Sequence, residues 1–95
     1  MIDWRRDFYI HTPYQHQAEY VCEILDSLGY RWSSGDALPG FTNWKHNKSR
    51  MHYHVRPKEM HITFSSYPEN FPVHSYEEFI DAFEPDTPIS ISEFL

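Results

Sequence analysis

Met51-His52-Tyr53-His54-Val55-Arg56-Pro57-Lys58-Glu59-Met60-His61-Ile62-Thr63-Phe64-Ser65 is the stretch that decides the fold. Two runs rich in strand-forming residues flank a Pro-Lys-Glu centre, the pattern of a β-hairpin over residues 51–65. Proline cannot take the positive φ that a two-residue hairpin loop requires, so a four-residue turn, Arg56-Pro57-Lys58-Glu59, is expected. That turn sets Val55 opposite Met60, His54 opposite His61, Tyr53 opposite Ile62, His52 opposite Thr63 and Met51 opposite Phe64. Met51, Tyr53, Val55, Met60, Ile62 and Phe64 then share an apolar face, and His52, His54, Arg56, Glu59, His61 and Thr63 a polar one. A slip of one residue would turn the polar set into the core, so the alternation fixes which face is buried.

Upstream, Phe8-Tyr9-Ile10-His11 reads as a first strand. Thr12-Pro13-Tyr14-Gln15 has the order of a capping box, with Thr12 as cap and proline at the first helical position. Apolar residues at Tyr14, Ala18, Val21, Cys22, Leu25 and Leu28 then mark one face of a helix over 13–28, and Gly29 stands where a C-terminal cap belongs. Cys22 reads as a small core residue, because no adjacent cation would lower its pKa. Tyr30-Arg31-Trp32 reads as a second strand, so strand–helix–strand predicts a right-handed crossover and a parallel pair. Residues 33–50 show no periodicity, and a loop of that length in a small domain points to a function.

Downstream, residues 66–74 read as a loop holding two prolines. Ser75-Tyr76-Glu77-Glu78 is a second capping box, opening a helix over 76–84 that Pro85 stops. Residues 86–95 read as an edge strand or a docking tail. The expectation is one α+β domain over 1–95, with a three- or four-stranded sheet, a long helix on its apolar face and a short C-terminal helix.

Composition agrees. A chain of 95 residues supports one core, and 18 % aromatics can fill it. A single cysteine excludes an intrachain disulfide and the paired spacings of zinc ribbons. No apolar run reaches a membrane-spanning length, and the first residues lack the apolar region of a signal peptide, so a soluble protein with no membrane partner is expected. The net charge of −6 hides an asymmetry. Residues 1–30 hold two basic against five acidic side chains, residues 31–58 six against one, and residues 59–95 none against eight. A basic middle suggests an anionic ligand, and an acidic last third suggests a basic partner. The two blocks could also neutralise each other in the fold or across a homodimer.

Three constellations are candidates for chemistry. Gly40-Phe41-Thr42-Asn43-Trp44-Lys45-His46-Asn47-Lys48-Ser49-Arg50 interleaves rings with cations, the means by which nucleotides and single strands are held by stacking and phosphate contact. Trp44, Lys45, Lys48, Arg50, His52, His54, Arg56 and His61 are therefore the candidate ligand residues, with Trp32 and Tyr53 as further stacking surfaces. Phe41 and Trp44 could instead pin the loop to the core. So few cations on an acidic molecule make general nucleic-acid binding unlikely. His52, His54 and His61, with His61 opposite His54 at about 5 Å, are weak metal candidates. Glu77, Glu78, Asp81 and Glu84 form an acidic helix flank able to enter a basic groove on a partner. His11 with Asp36 or His52 is the sole acid–base pairing on offer, and no nucleophile, metalloprotease or phosphate-loop motif is present.

Phe8-Tyr9-Ile10-His11-Thr12-Pro13, a helix, Leu28-Gly29-Tyr30-Arg31-Trp32-Ser33-Ser34-Gly35 and the capped helix at Ser75-Tyr76-Glu77-Glu78-Phe79 together resemble a pattern in small bacteriophage accessory proteins. The resemblance covers the first 35 residues and the last helix, and its motifs are structural. It implies a protein of the host cytoplasm that binds a bacterial host or defence factor. The leading expectation is a non-catalytic accessory protein, anti-defence or host-takeover, that inhibits or sequesters its target without a cofactor. The alternative is a binder of a nucleotide-like or other anionic small ligand, between the basic-aromatic loop and the polar hairpin face. A metal-dependent enzyme stands third.

Overall fold

In the computed structural model, which describes residues 2–38 and 42–83, the chain folds as an α+β domain of two layers. The strands are β1 (Phe8–His11), β2 (Arg31–Trp32), β3 (His52–Arg56), β4 (His61–Ser65) and β5 (Val73–Ser75). The helices are α1 (Gln15–Ser27), the single-turn α2 (Trp44–Asn47), followed by a 3-10 turn at Lys48–Arg50, and α3 (Tyr76–Phe83). The sheet order is β2-β4-β3-β1-β5, with β3 antiparallel to both its neighbours and the other strands running together.

The sheet has five strands where three or four were expected. The additional one is β5, which falls in the stretch read as loop and pairs parallel to β1, Ile10 opposite His74. The first two strands do run parallel, but they do not form a pair: the hairpin is inserted between them. A two-residue β2 satisfies few ladder bonds and goes to the edge, while the five-residue hairpin strands take the centre, where both neighbours are available.

The hairpin closes with Arg56 opposite His61 and Val55 opposite Ile62, two residues from the expected register. Its loop is 57–60, where the Met60 N–H donates to the Pro57 carbonyl at 3.3 Å and Met60 takes φ 58°. The shift is even, so the strand residues keep their predicted faces, while Glu59 and Met60 pass into the turn. Tyr53, Val55 and Ile62 are fully buried, as is Met51 just before β3, while Met60 and Phe64 at the ends stay 38 % exposed.

The long helix begins two residues later than expected. Thr12 is not its cap: it continues β1, its N–H donating to the Met51 carbonyl at 3.0 Å, and the helix cap is Tyr14, without a side-chain bond. The sheet accounts for this, since the ladder bond to Met51 draws Thr12 into the line of β1 and the helix starts only after Pro13. Ala18, Val21, Cys22 and Leu25 are buried as the spacing predicts, joined by Ile24, whereas Tyr14 and Leu28 are exposed. At the far end, Tyr30 N–H bonds Leu25 O and Gly29 N–H bonds Asp26 O, with Gly29 at φ 98°. That is a Schellman cap, which uses the conformational freedom of glycine. Burial pushes the Cys22 thiol up to about 12, so it is an inert core group.

The second capping box forms as written. The Glu78 N–H donates to Ser75 Oγ at 3.0 Å, and the Ser75 N–H donates to Glu78 Oε1 at 3.3 Å. His74 adds a 3.1 Å contact to the same carboxylate, and these hydrogen bonds hold Glu78 below the usual carboxylate range. Ser75→Ala should cost about 1 kcal/mol, read by urea denaturation. Phe79 is fully buried and sets α3 on the same side of the sheet as α1, close to Trp4, with ring centroids 6.2 Å apart. Pro85, Glu84 and the 86–95 tail lie outside the described residues.

Candidate functional site

Both longer helices cover one face of the sheet, the face of Phe8, Ile10, Tyr53, Val55 and Ile62. The opposite, outer face is built by pleat alternation from Tyr9 and His11 on β1, His52, His54 and Arg56 on β3, His61 and Thr63 on β4 and Arg31 on β2. None of the helices among the described residues lies on it. Residues 66–72 cross it from β4 to β5, with Phe71 5.2 Å from the His54 ring and 6.4 Å from the Tyr9 ring. Under this strap Tyr9 is nearly buried.

Three of the outer-face imidazoles, those of His11, His52 and His54, are individually engaged. His11 Nε2 lies 2.8 Å from the Ser49 carbonyl and His52 Nδ1 lies 2.8 Å from the Arg50 carbonyl. A carbonyl only accepts, so those ring nitrogens carry the protons. The two rings stack at 4.4 Å and 11°, and burial followed by the neighbouring His11 holds His52 below the usual imidazole pKa. Lys48, at φ 50° and ψ −124°, makes the sharp bend that brings both carbonyls into place. His54 Nε2 faces Asp7 Oδ2 at 3.0 Å. His61 lies opposite Arg56, and Thr63 rather than His61 lies opposite His54. The register shift therefore moves His61 away from the position opposite His54 that made His52, His54 and His61 weak metal candidates. Among the described residues no group of three His, Cys, Asp or Glu is placed to hold a metal ion. The expected pairing of His11 splits likewise: His52 is beside it, while Asp36 bonds Ser34 in the β2 turn.

The predicted ligand residues divide. Arg50, His52, His54, Arg56 and His61 come to the outer face or its margin, with Arg50 donating to the Tyr67 hydroxyl on the strap at 3.0 Å. Trp44 does not: its indole packs on the core and Nε1–H donates to the Thr12 carbonyl at 3.1 Å. Trp32 and Tyr53 are buried and offer no stacking surface. Lys45 and Lys48 are exposed on the α2 turn and the 3-10 segment. Gly40 and Phe41 lie outside the described residues.

Three cations that sequence reasoning left out complete the site. Arg5, Arg6 and Lys58 meet Asp7, Asn70, Phe71 and Pro72 around a cleft of about 410 Å³ at the end of the face where β1 starts and β3 ends. Phe8 pairs with Val55, so β1 brings the Arg5-Arg6 pair beside the hairpin turn. That pairing is the missing signal: Arg5 and Arg6 belong to the acidic first block of the sequence but join the basic middle in space. Six of the eight lysines and arginines, Arg5, Arg6, Arg31, Arg50, Arg56 and Lys58, thus lie on or around the outer face. Of the exposed acids, Glu19, Glu23, Glu77, Glu78 and Asp81 lie on the helices of the other layer, while Glu59 in the hairpin turn and Glu69 on the strap stand at the outer face.

Their pairing is uneven. Arg5 is bound to Asp3 at 3.0 Å. Arg6 reaches Asp3 only at 3.9 Å, and Arg56 reaches Asp7 at 4.0 Å and Glu59 at 3.7 Å. Lys58 is exposed and forms no ion pair with a described residue. The mouth of the cleft therefore holds cationic donors that are not committed to acids. Phe71, 41 % exposed, supplies a ring beside them. Comparison with protein-family models, with curated proteins and with solved structures finds no match. None of the helices among the described residues is long and apolar enough to cross a membrane.

Proposed function

We propose that this protein is a non-catalytic binder of a small anionic, nucleotide-like molecule, held in the cleft at the Arg5, Arg6 and Lys58 end of the outer sheet face. The observation that carries the reading is the gathering there of cations from two separate segments, Arg5-Arg6 before β1 and Lys58 in the hairpin turn, with Arg56 next to them and Arg6, Arg56 and Lys58 only loosely paired or unpaired. Phosphate oxygens accept from such donors, and Arg presents its donors as a planar fork suited to them. A planar ring of the ligand lies on Phe71. Asp7 lines the same cleft, and its contacts with His54 and Arg56 offset its charge toward an anion.

The wider role, a phage-type accessory protein that sequesters a bacterial target, rests on the sequence resemblance. In that setting the sequestered target is the small anion. Docking on a basic protein through Glu77, Glu78 and Asp81 is the less favoured reading, because the Glu78 carboxylate is already engaged by Ser75 and His74.

Titration with ADP and with pyrophosphate, followed by amide NMR, tests the reading. Saturable shifts are expected at residues 5–7, 56–58 and 70–72, with ADP also moving the Phe71 ring. The double variant Arg6→Ser/Lys58→Ser should weaken both ligands at least tenfold, the scale of one lost charge-assisted hydrogen bond, and leave the fold unchanged. Absence of saturable shifts, or an unchanged affinity in the double variant, would overturn it.

A further inference from the structure

A second cleft, of about 430 Å³, lies at the opposite end of the sheet, where β2 stops at Trp32 while β4 continues to Ser65. The chain leaves the sheet there in a turn, with Gly35 N–H on the Trp32 carbonyl at 2.7 Å, and this opens the side of β4 at Thr63 and Phe64. The walls differ in kind from those of the cationic cleft. Trp32, Ile62 and Phe64 give an apolar floor, and Ser33, Ser34 and Asp36 give a polar rim. Among the described residues no lysine or arginine lines it, and Asp36 is the sole charged one that does.

Two features select the ligand. Trp32 is only 7 % exposed, and its buried Nε1–H has no hydrogen-bond partner among the described residues. An orphan donor of this kind is costly, and it calls for an acceptor. Asp36 calls for the reverse. Its carboxylate takes one bond, from Ser34 Oγ at 2.9 Å, and has room for more donors. An anion would supply acceptors but is repelled by Asp36. An organic cation would supply donors but nothing for the indole N–H. A neutral hydroxylated molecule supplies both from the same groups. Phe64, 38 % exposed with His46 stacked beside it at 5.8 Å, gives an apolar ring surface for the molecule's C–H face.

We infer that this cleft is a second binding site, separate from the anion cleft, for a neutral polyhydroxylated ring of monosaccharide size. The volume is at the lower end of small-ligand sites, which suits one such ring and no more. Hydroxyls bridge Asp36 to the Trp32 Nε1–H, with Ser33 and Thr63 at the margin, and one ring face rests on Phe64.

The Trp32 indole N–H resonance is the reporter, set apart from those of Trp4 and Trp44. The full chain is titrated with glucose, galactose, mannose, N-acetylglucosamine and ribose to about 50 mM, where even a millimolar ligand saturates. Choline and inorganic phosphate serve as charged probes. At least one sugar should shift the Trp32 indole saturably, and Asp36→Asn, which keeps the side-chain shape, should weaken it about tenfold. Phe64→Ala gives an independent second variant with the same expected loss. Silence of the indole toward every sugar would overturn the inference. So would a response to choline or phosphate alone, or an affinity unchanged in both variants.

Discussion

Tyr53→Ala is expected to destabilise the protein by about 3–5 kcal/mol, the range for removing a large ring from a close-packed core. Tyr53 is fully buried at the centre of β3, between Ile10 on β1 and Phe64 on β4. Its ring lies 6.0 Å from Trp32, and burial holds its hydroxyl far above the ordinary tyrosine range. The hydroxyl donates to the Thr42 carbonyl, so one side chain ties the sheet to the segment that leads into α2. Domains of this size have stabilities of about 5–15 kcal/mol, so this single truncation removes a large share. Tyr53→Phe keeps the ring and loses only that hydrogen bond, for about 1–2 kcal/mol. Urea denaturation separates the two, with the midpoint falling in both variants and much further in the alanine one. Had Tyr53 been a surface platform for a ligand, the alanine variant would lose little stability and the phenylalanine variant almost none.

That contrast shows what the sequence could and could not convey. The alternation in 51–65 says which residues share a face with Tyr53, and the structure keeps all of them there but Met60, which the two-residue change of register moves into the turn. Face membership has a period of two, so it survives any even shift, whereas cross-strand partners do not. The weak metal candidates, His52, His54 and His61, depended on partners, and the register set His61 opposite Arg56 instead of His54. The helix 13–28 and the Ser75 cap were legible for a related reason: both rest on contacts within a few residues along the chain. β5 was not. Val73-His74-Ser75 has no pattern of its own, and it is a strand because β1 offers an open edge, with Tyr9 N–H reaching Pro72 O at 2.8 Å. Thr12 shows the same conflict in reverse, a good local cap that the sheet takes for its own ladder. The charge layout was legible as blocks along the chain, but it acts in space. The Arg5-Arg6 pair crosses from the acidic block to the basic face only because β1 lies beside β3.

Trp44→Ala is the second large effect, and it separates the two roles the sequence leaves open for this ring. As a ligand platform, Trp44 would be needed for binding and dispensable for stability. The structure predicts the opposite. Its indole is half-buried against the core cluster, and Nε1–H donates to the carbonyl of Thr12, which is itself fully buried. Truncation exposes apolar core surface and strips that carbonyl of its partner. The Thr12 hydroxyl has no hydrogen-bond partner among the described residues, so the variant would leave a second buried polar group of the same residue unsatisfied. The combined loss is about 2–3 kcal/mol, a fall of about 10–20 °C in Tm for a domain of this size. Trp44→Phe should recover the packing and leave a deficit of about 1 kcal/mol for the missing donor. Neither variant touches the cationic cleft, whose lining comes from the start of β1, the hairpin turn and the strap. ADP affinity, measured below the lowered melting temperature, should therefore stay within about twofold of the parent value, since sites without shared contacts behave additively. A Trp44→Ala protein that kept its stability and lost ADP binding would return the ligand site to the basic-aromatic loop.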